Sequence, residues 1–287
     1  REDTRESLKE KVRTAAILGT FQSTLTNFRY LSREWKKNCD EERLLGVSLT
    51  GIMDSPLTNG SKKGLDKLLE ELRTVAYETN KEWADKLGIP VSAAITCVKP
   101  SGTVSQLVDS ASGIHARHNP YYIRTVRADN KDPLCKLMKN MGFPNEVDVT
   151  KPEHTTVFSF PMKTPKGAVC RMDMTALEQL ELWKVYAESW CEHKPSVTIS
   201  VKEDEWVEVA AWVYDHFDSI SGISFLPFSE HAYRQAPYQD CTEEEYKETV
   251  KTMPKNVDWA KLSKYESQDY TIASQEMACT AGGCEII

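Results

Sequence analysis

Long apolar runs are missing from this sequence. Its longest hydrophobic stretches are the length of a strand, far short of the ~20 residues that a membrane-spanning helix needs. No stretch resembles a signal peptide. A basic excess is missing too: 36 Lys and Arg stand against 43 Asp and Glu, a net charge of −7. That balance argues against a general binder of nucleic acid or membrane surfaces, while leaving room for a small anion at a local site. There is no CxxC, no zinc-like ladder of Cys and His, no Walker loop, no GxGxxG, no internal repeat and no low-complexity tract. Eight cysteines are present, and all but the last pair are dispersed among hydrophobic segments. Dispersed thiols of that kind act as small apolar residues in a reducing cytoplasm, which is the expected location.

What is present alternates. Residues 5–30 carry apolar residues at helical spacing, and 43–52 ("RLLGVSLTGI") read as a buried strand. A long amphipathic helix over 64–88 is stopped by Gly88 with Pro90 beyond it. Strands are expected at 91–98, 121–126, 155–162, 195–201 and 220–228, and helices at 132–142, 175–193 and 202–217. Two short helices follow at 241–253 and 258–265. Strand and helix alternating in this way predict an α/β fold with a largely parallel sheet. The expected division is one body over 1–265 and a mobile tail over 266–287.

The segment 96–127, "TCVKPSGTVSQLVDSASGIHARHNPYYIRTVR", carries the most chemistry. A strand delivers the chain to Pro100, and Ser101, Gly102, Thr103, Val104 and Ser105 then open a predicted helix. Three hydroxyls, a glycine and the unbonded amides of a helix start make an anion site suited to phosphate. A plain strand-to-helix turn capped by Ser or Thr is the alternative. Arg117, Arg124 and Arg127 either add charge to that site or form ion pairs of their own. His115 and His118 lack a nearby carboxylate or Cys cluster and read poorly as a metal pair. Cys39 and Cys97 read as structural, and Cys191 with His193 as packing and dipole complement at a helix end.

The last ten residues, "ACTAGGCEII", place Cys279 and Cys284 where the backbone frays. A packed core has no use for thiols there, but thiol–disulfide exchange needs this kind of access.

Taken together, "KPSGTVSQLVDSASGIHARH", "RLLGVSLTGI", "HKPSVTISV", "SGISFLPF" and the terminal Cys-x4-Cys resemble, in order and over nearly the whole chain, the C-terminal half of adenosylcobalamin-dependent (class II) ribonucleotide reductases of the monomeric triphosphate-reducing type. The resemblance implies the second half of a ten-stranded α/β barrel, followed by a flexible C-terminal tail. It implies that Ser101, Gly102, Thr103, Val104 and Ser105 bind the phosphates of a ribonucleoside triphosphate. It also implies that Cys279 and Cys284 re-reduce an active-site disulfide and are themselves reduced by thioredoxin. Thr-Ala-Gly-Gly lets such a pair close on itself, and an arm from Glu266 to Cys284 reaches on the order of 60 Å at roughly 3.3 Å per residue.

The family's radical element, Asn-x-Cys-x-Glu, is absent; "KNCDEE" at 37–42 comes nearest and has the wrong spacing. The resemblance assigns that element, the active-site disulfide, the effector site and most of the adenosylcobalamin platform to an N-terminal half. That half is the expected partner, either as a separate chain or from the same precursor. The opening "REDT", without methionine, fits a split subunit, a fragment or a splicing product. Phe225-Leu226 stands in "GISFLP", where a class I subunit would carry a tyrosine pair, so class II is favoured. The alternatives are a piece of a class I ribonucleoside-diphosphate reductase and a non-catalytic nucleotide-binding or redox partner.

Overall fold

The computed structural model describes residues 2–228 and 234–266. In chain order its elements begin with α1 (Arg5–Gln22), α2 (Arg33–Glu42), β1 (Val47–Ser48), α3 (Leu65–Leu87), β2 (Thr96–Cys97), α4 (Val104–Leu107), β3 (Tyr121–Asp129) and α5 (Pro133–Asn140). They continue with β4 (Asn145–Val147), β5 (Thr155–Lys163), α6 (Ala176–Ser189), β6 (Val197–Val201), α7 (Trp206–Asp215), β7 (Ile223–Pro227), β8 (Tyr238–Asp240) and α8 (Glu243–Thr252). The described residues form two compact units, one of 2–116 and 167–228, the other of 117–166 and 234–266. No helix among them is long and apolar enough to cross a membrane.

The first unit follows the expected alternation. β1 and β2 are parallel, as are β6 and β7. Backbone bonds from Leu45 to Ala94 and from Val47 to Ile95, at 3.0 and 2.8 Å, lengthen the β1–β2 contact beyond the two strands themselves. α1 and α3 pack together around Val12, Ala16, Leu69, Leu72 and Ala76. Inside that contact Asn80 donates to Thr20 and Ser92 and accepts from the Ser92 amide, so its buried side-chain amide is paired as both donor and acceptor.

α6 supplies the largest buried rings. Trp183, Tyr186 and Trp190 lie on its inner side or at its end, and each uses its polar tip as a tether. Trp183 donates to the Pro195 carbonyl (3.2 Å), Tyr186 to that of Thr58 (2.7 Å) and Trp190 to that of Cys97 (2.7 Å). α6 begins in a Thr175/Glu178 capping box, a start legible in the sequence. α2 was not legible in this way: "REWKKNCDEE" buries nothing, and side-chain pairs such as Lys36–Asp40 and Lys37–Glu41 line its surface.

The second unit corrects the parallel reading. β3 and β5 pair antiparallel along their full nine-residue lengths, from Tyr121↔Lys163 to Asp129↔Thr155, and the sheet runs β4-β5-β3-β8. The short α5 lies between strands that turn back on themselves, and β4 and β5 close as a hairpin. Among the described residues the strands form three sheets and no closed barrel.

Asp148 sits at the mouth of that hairpin and is buried. It accepts from the Thr150 amide and hydroxyl (2.8 and 2.6 Å), the Lys151 amide (2.8 Å) and Arg127 Nε (2.7 Å). Burial by itself would raise its pKa, but these four donors outweigh it and lower the value to about 2. A carboxylate lowered by folding stabilises above its unfolded value near 4, and that contribution is lost as the pH falls toward 2. Asp148→Ala, which strands Arg127, is expected to cost about 3–5 kcal/mol in urea unfolding at pH 7 and to flatten the acid limb of the stability curve between about pH 4 and 2.

Candidate functional site

Two loops leave the C-terminal ends of the parallel strands β1 and β2, the end of a parallel sheet where ligands collect. The first carries Thr50 and Asp54, the second residues 99–116, and hydrogen bonds knit them together. Thr50 Oγ1 lies 2.6 Å from Ser101 Oγ, donates to the Ala111 carbonyl (3.1 Å) and accepts from the Gly113 amide (3.0 Å). The Asp54 carboxylate accepts from the Ala111 amide (2.8 Å), and the Gly51 amide donates to the Ala111 carbonyl (2.8 Å). Ser101 N donates to Ser112 Oγ at 3.0 Å.

Of the five residues predicted to hold an anion, two are spent on the turn itself. Ser105 is buried and donates its hydroxyl to the Ser101 carbonyl, while the Ser101 hydroxyl faces Thr50 and the Gly113 amide. Gly102 is half-buried, and Thr103 and Val104 are exposed. Lys99 is exposed just before them. The predicted helix is a single turn, α4, and the Thr103 side chain makes no capping bond to it. Amides at the opening of such a turn have no partner within it, so backbone N–H groups, the Thr103 hydroxyl and the Lys99 ammonium form the available surface. Val104, Leu107 and Val108, 60–86% exposed, form an apolar margin to it.

Gly113 fixes the far end of the loop. Its φ is +54°, and a Cβ there would meet the Lys99 carbonyl oxygen at 2.7 Å. His115 follows, buried: Nδ1 donates to the Ser112 carbonyl at 3.0 Å, and Nε2 accepts from the Thr198 amide of β6 at 3.0 Å. The contact to Thr198 requires the neutral ring, and burial lowers its pKa.

The other residues singled out in the sequence have separate employment. His118 lies 2.6 Å from Asp240 and stacks on Tyr238. Arg127 pairs with Asp148. Arg124 is buried in the second unit over the Tyr238 ring (4.5 Å), with Nε and Nη1 lacking hydrogen-bond partners among the described residues. Arg117 is buried. Cys97 is a core residue, and burial raises its thiol pKa. Burial pushes the Cys191 thiol up to about 12, and His193 Nε2 donates to the Leu45 carbonyl at 2.7 Å. Cys39 is half-buried on α2. Cys279 and Cys284 lie outside the described residues. Sequence reasoning missed Thr50, Asp54, Ser112 and Gly113 as the frame of the loop. The available signal was polar residues placed directly after an apolar strand, in "SLTGIMD".

No family model matches the chain. Curated proteins do. An adenosylcobalamin-dependent ribonucleoside-triphosphate reductase of Euglena gracilis is 28% identical over 257 residues, covering 89% of this chain and 35% of its own length. A probable enzyme of the same name from Dictyostelium discoideum is 28% identical over 289 residues, 98% of this chain and 37% of its own. The Lactobacillus gasseri reductase is 25% identical over 279 residues. This chain resembles adenosylcobalamin-dependent ribonucleotide reductases. It spans little more than a third of the length of these reductases. The fold agrees: a crystal structure of a B12-dependent (class II) ribonucleotide reductase superimposes with a TM-score of 0.77 at 24% identity, covering 91% of this chain and 40% of that one.

Gly113→Ala is expected to lose about 1–3 kcal/mol by thermal unfolding from its backbone conformation, and more from the Lys99 contact. Gly64→Ala, at φ +84° but with nothing within 4 Å of the added Cβ, is expected to lose less. His115 adds a pH dependence. Its folded pKa lies below the unfolded value near 6.5, so the unfolded chain binds the proton first and stability falls as the pH drops below about 6.5. His115→Asn is expected to remove that limb from a stability-versus-pH series.

Proposed function

We propose that this chain supplies the substrate-phosphate site and the reducing dithiol of a ribonucleotide reductase that converts ribonucleoside triphosphates to 2′-deoxyribonucleotides by radical chemistry. The reading is carried by the turn at Ser101–Ser105, set at the C-terminal ends of two parallel strands beside exposed Lys99. Polyphosphate would lie against the Gly102, Thr103 and Val104 amides and the Thr103 hydroxyl. Ser101 and Ser105 would hold the turn in shape. A preformed cradle of this kind fixes the ribose at one distance from the turn, so that the reacting atoms meet groups brought from elsewhere.

Those groups belong to a partner, a polypeptide segment carrying the Asn-x-Cys-x-Glu element that this sequence lacks. Loss of the ribose 2′-OH as water takes two electrons from a pair of thiols there, which become a disulfide. Cys279 and Cys284 would then exchange with it: one tail thiolate attacks, the mixed disulfide resolves on the second, and the tail carries the oxidised pair away to be reduced by thioredoxin. The raised pKa values of Cys97, Cys135 and Cys191 suit none of them to this task.

The relatives' names specify adenosylcobalamin, which supplies the radical when bound. The groups gathered here fit a small anion and not a corrin, whose wide apolar face needs a wide apolar bed. No residue of this chain is assigned to it, in keeping with a platform on the partner. Within this reading, β1, β2, β6 and β7 are strands of the second half of a ten-stranded barrel, residues 266–287 are the redox tail, and the assembly works in the cytoplasm.

Thr103→Val, a change at an exposed hydroxyl with no structural bond, is expected to raise KM for the nucleotide several-fold with kcat little changed in the assembled reductase. Ser101→Ala would lower stability as well. Cys279→Ser with Cys284→Ser is expected to abolish repeated turnover with thioredoxin while sparing one turnover of a prereduced complex. Equal loss of both would refute the shuttle.

A further inference from the structure

Helix α7 is apolar on two opposite sides. Val209 and Trp212 are buried against the core of the first unit, with Val213 packed beside them. On the opposite side Val207 is 81%, Tyr214 83% and Phe217 73% exposed, and Ala210 and Ala211 are exposed between them. Val207, Ala210, Ala211 and Tyr214 fall at i, i+3, i+4 and i+7, one continuous stripe, with Trp206 along one edge and Phe217 in the turn just past the helix end. The other edge is acidic: Glu208 and Asp215, seven residues apart and both exposed. A surface helix normally carries a single apolar stripe, facing the core, and a second, outward stripe with aromatic ends marks a contact surface.

We propose that this stripe docks an amphipathic helix of another polypeptide, apolar along one face and bordered by Lys or Arg where it meets Glu208 and Asp215. Ala210 and Ala211 at the centre allow two helix axes to approach to roughly 8–10 Å. Val207 and Tyr214 bracket that contact. Charge selects the occupant. A second copy of this chain packed antiparallel would set acidic border against acidic border. Packed parallel, it would set the carboxylates against the Trp206 edge and leave them unpaired. An anionic membrane surface would be repelled. A basic-bordered helix gains from both the stripe and its edge. The inference does not depend on the reductase reading.

The test uses the whole chain and two labelled 18-residue peptides with the same leucine stripe, one with lysine and one with glutamate at the polar positions, followed by fluorescence anisotropy. The lysine peptide is expected to bind and the glutamate peptide not. Val207→Ser with Tyr214→Ser is expected to weaken the lysine peptide by about tenfold or more. Glu208→Lys with Asp215→Lys is expected to reverse the preference between the peptides, and the unliganded protein is expected to sediment as a monomer. Circular dichroism checks that both variants fold. If the serine variant does not, the charge reversal, confined to exposed positions, decides alone. Equal binding of both peptides, binding of neither, or a preference unmoved by the charge reversal would overturn the proposal. A dimer dissociated by the serine substitutions would overturn it in favour of a second copy.

Discussion

The first unit depends on how β2 is held. Its far side, away from β1, is met not by a strand but by the end of α6 and the residues that follow. Glu192 places a carboxylate oxygen 2.9 Å from the Ile95 amide and 3.2 Å from that of Thr96, and the Glu192 and His193 amides return bonds to the Thr96 carbonyl. Trp190 Nε1 takes the Cys97 carbonyl, and the Ser196 amide reaches that of Val98 at 3.4 Å. A buried strand edge with unmet backbone groups would be costly. One turn of chain satisfies this one, joins β2 toward β6, and so sets the point from which Lys99 and the loop beyond it depart.

This clamp explains which parts of the architecture were legible. Long periodic segments such as α3 and α6 announce themselves through spacing, caps and stop residues, because those signals are local. The alternation that predicted parallel strands held for β1, β2, β6 and β7, whose connections pass through helices. It failed for β3 to β5, where α5 is too small a crossover to impose parallel pairing and the partners turn back on one another. β4 and β8, three residues each, carry no pattern of their own and exist through their neighbours. α2 escaped notice for the opposite reason: it has no apolar face from which a period could be read.

At the candidate site the sequence singled out the turn but treated its residues alike. Ser101, Thr103 and Ser105 look equivalent in a string of letters. In the fold Ser101 and Ser105 are occupied in holding the loop, and Thr103 faces outward. The distinction rests on Thr50 and Ser112, partners 51 and 11 residues from Ser101, and distant pairings of this kind leave no trace in local spacing. The same holds for the arginines: Arg127 finds Asp148, 21 residues on, and that carboxylate organises a hairpin.

His115 ties the loop to β6 through a ring nitrogen that must stay unprotonated, and Gly113 admits the Lys99 carbonyl where any side chain would collide. The frame is therefore intolerant of change at positions whose contacts are all within the protein. The open part, Gly102 to Val104, presents mainly backbone, and backbone carries no side-chain identity. Apart from Thr103, substitution would thus drift across that surface while the scaffold behind it stays fixed. Among distant relatives the more faithful signature of this site would be the residues that never meet a ligand.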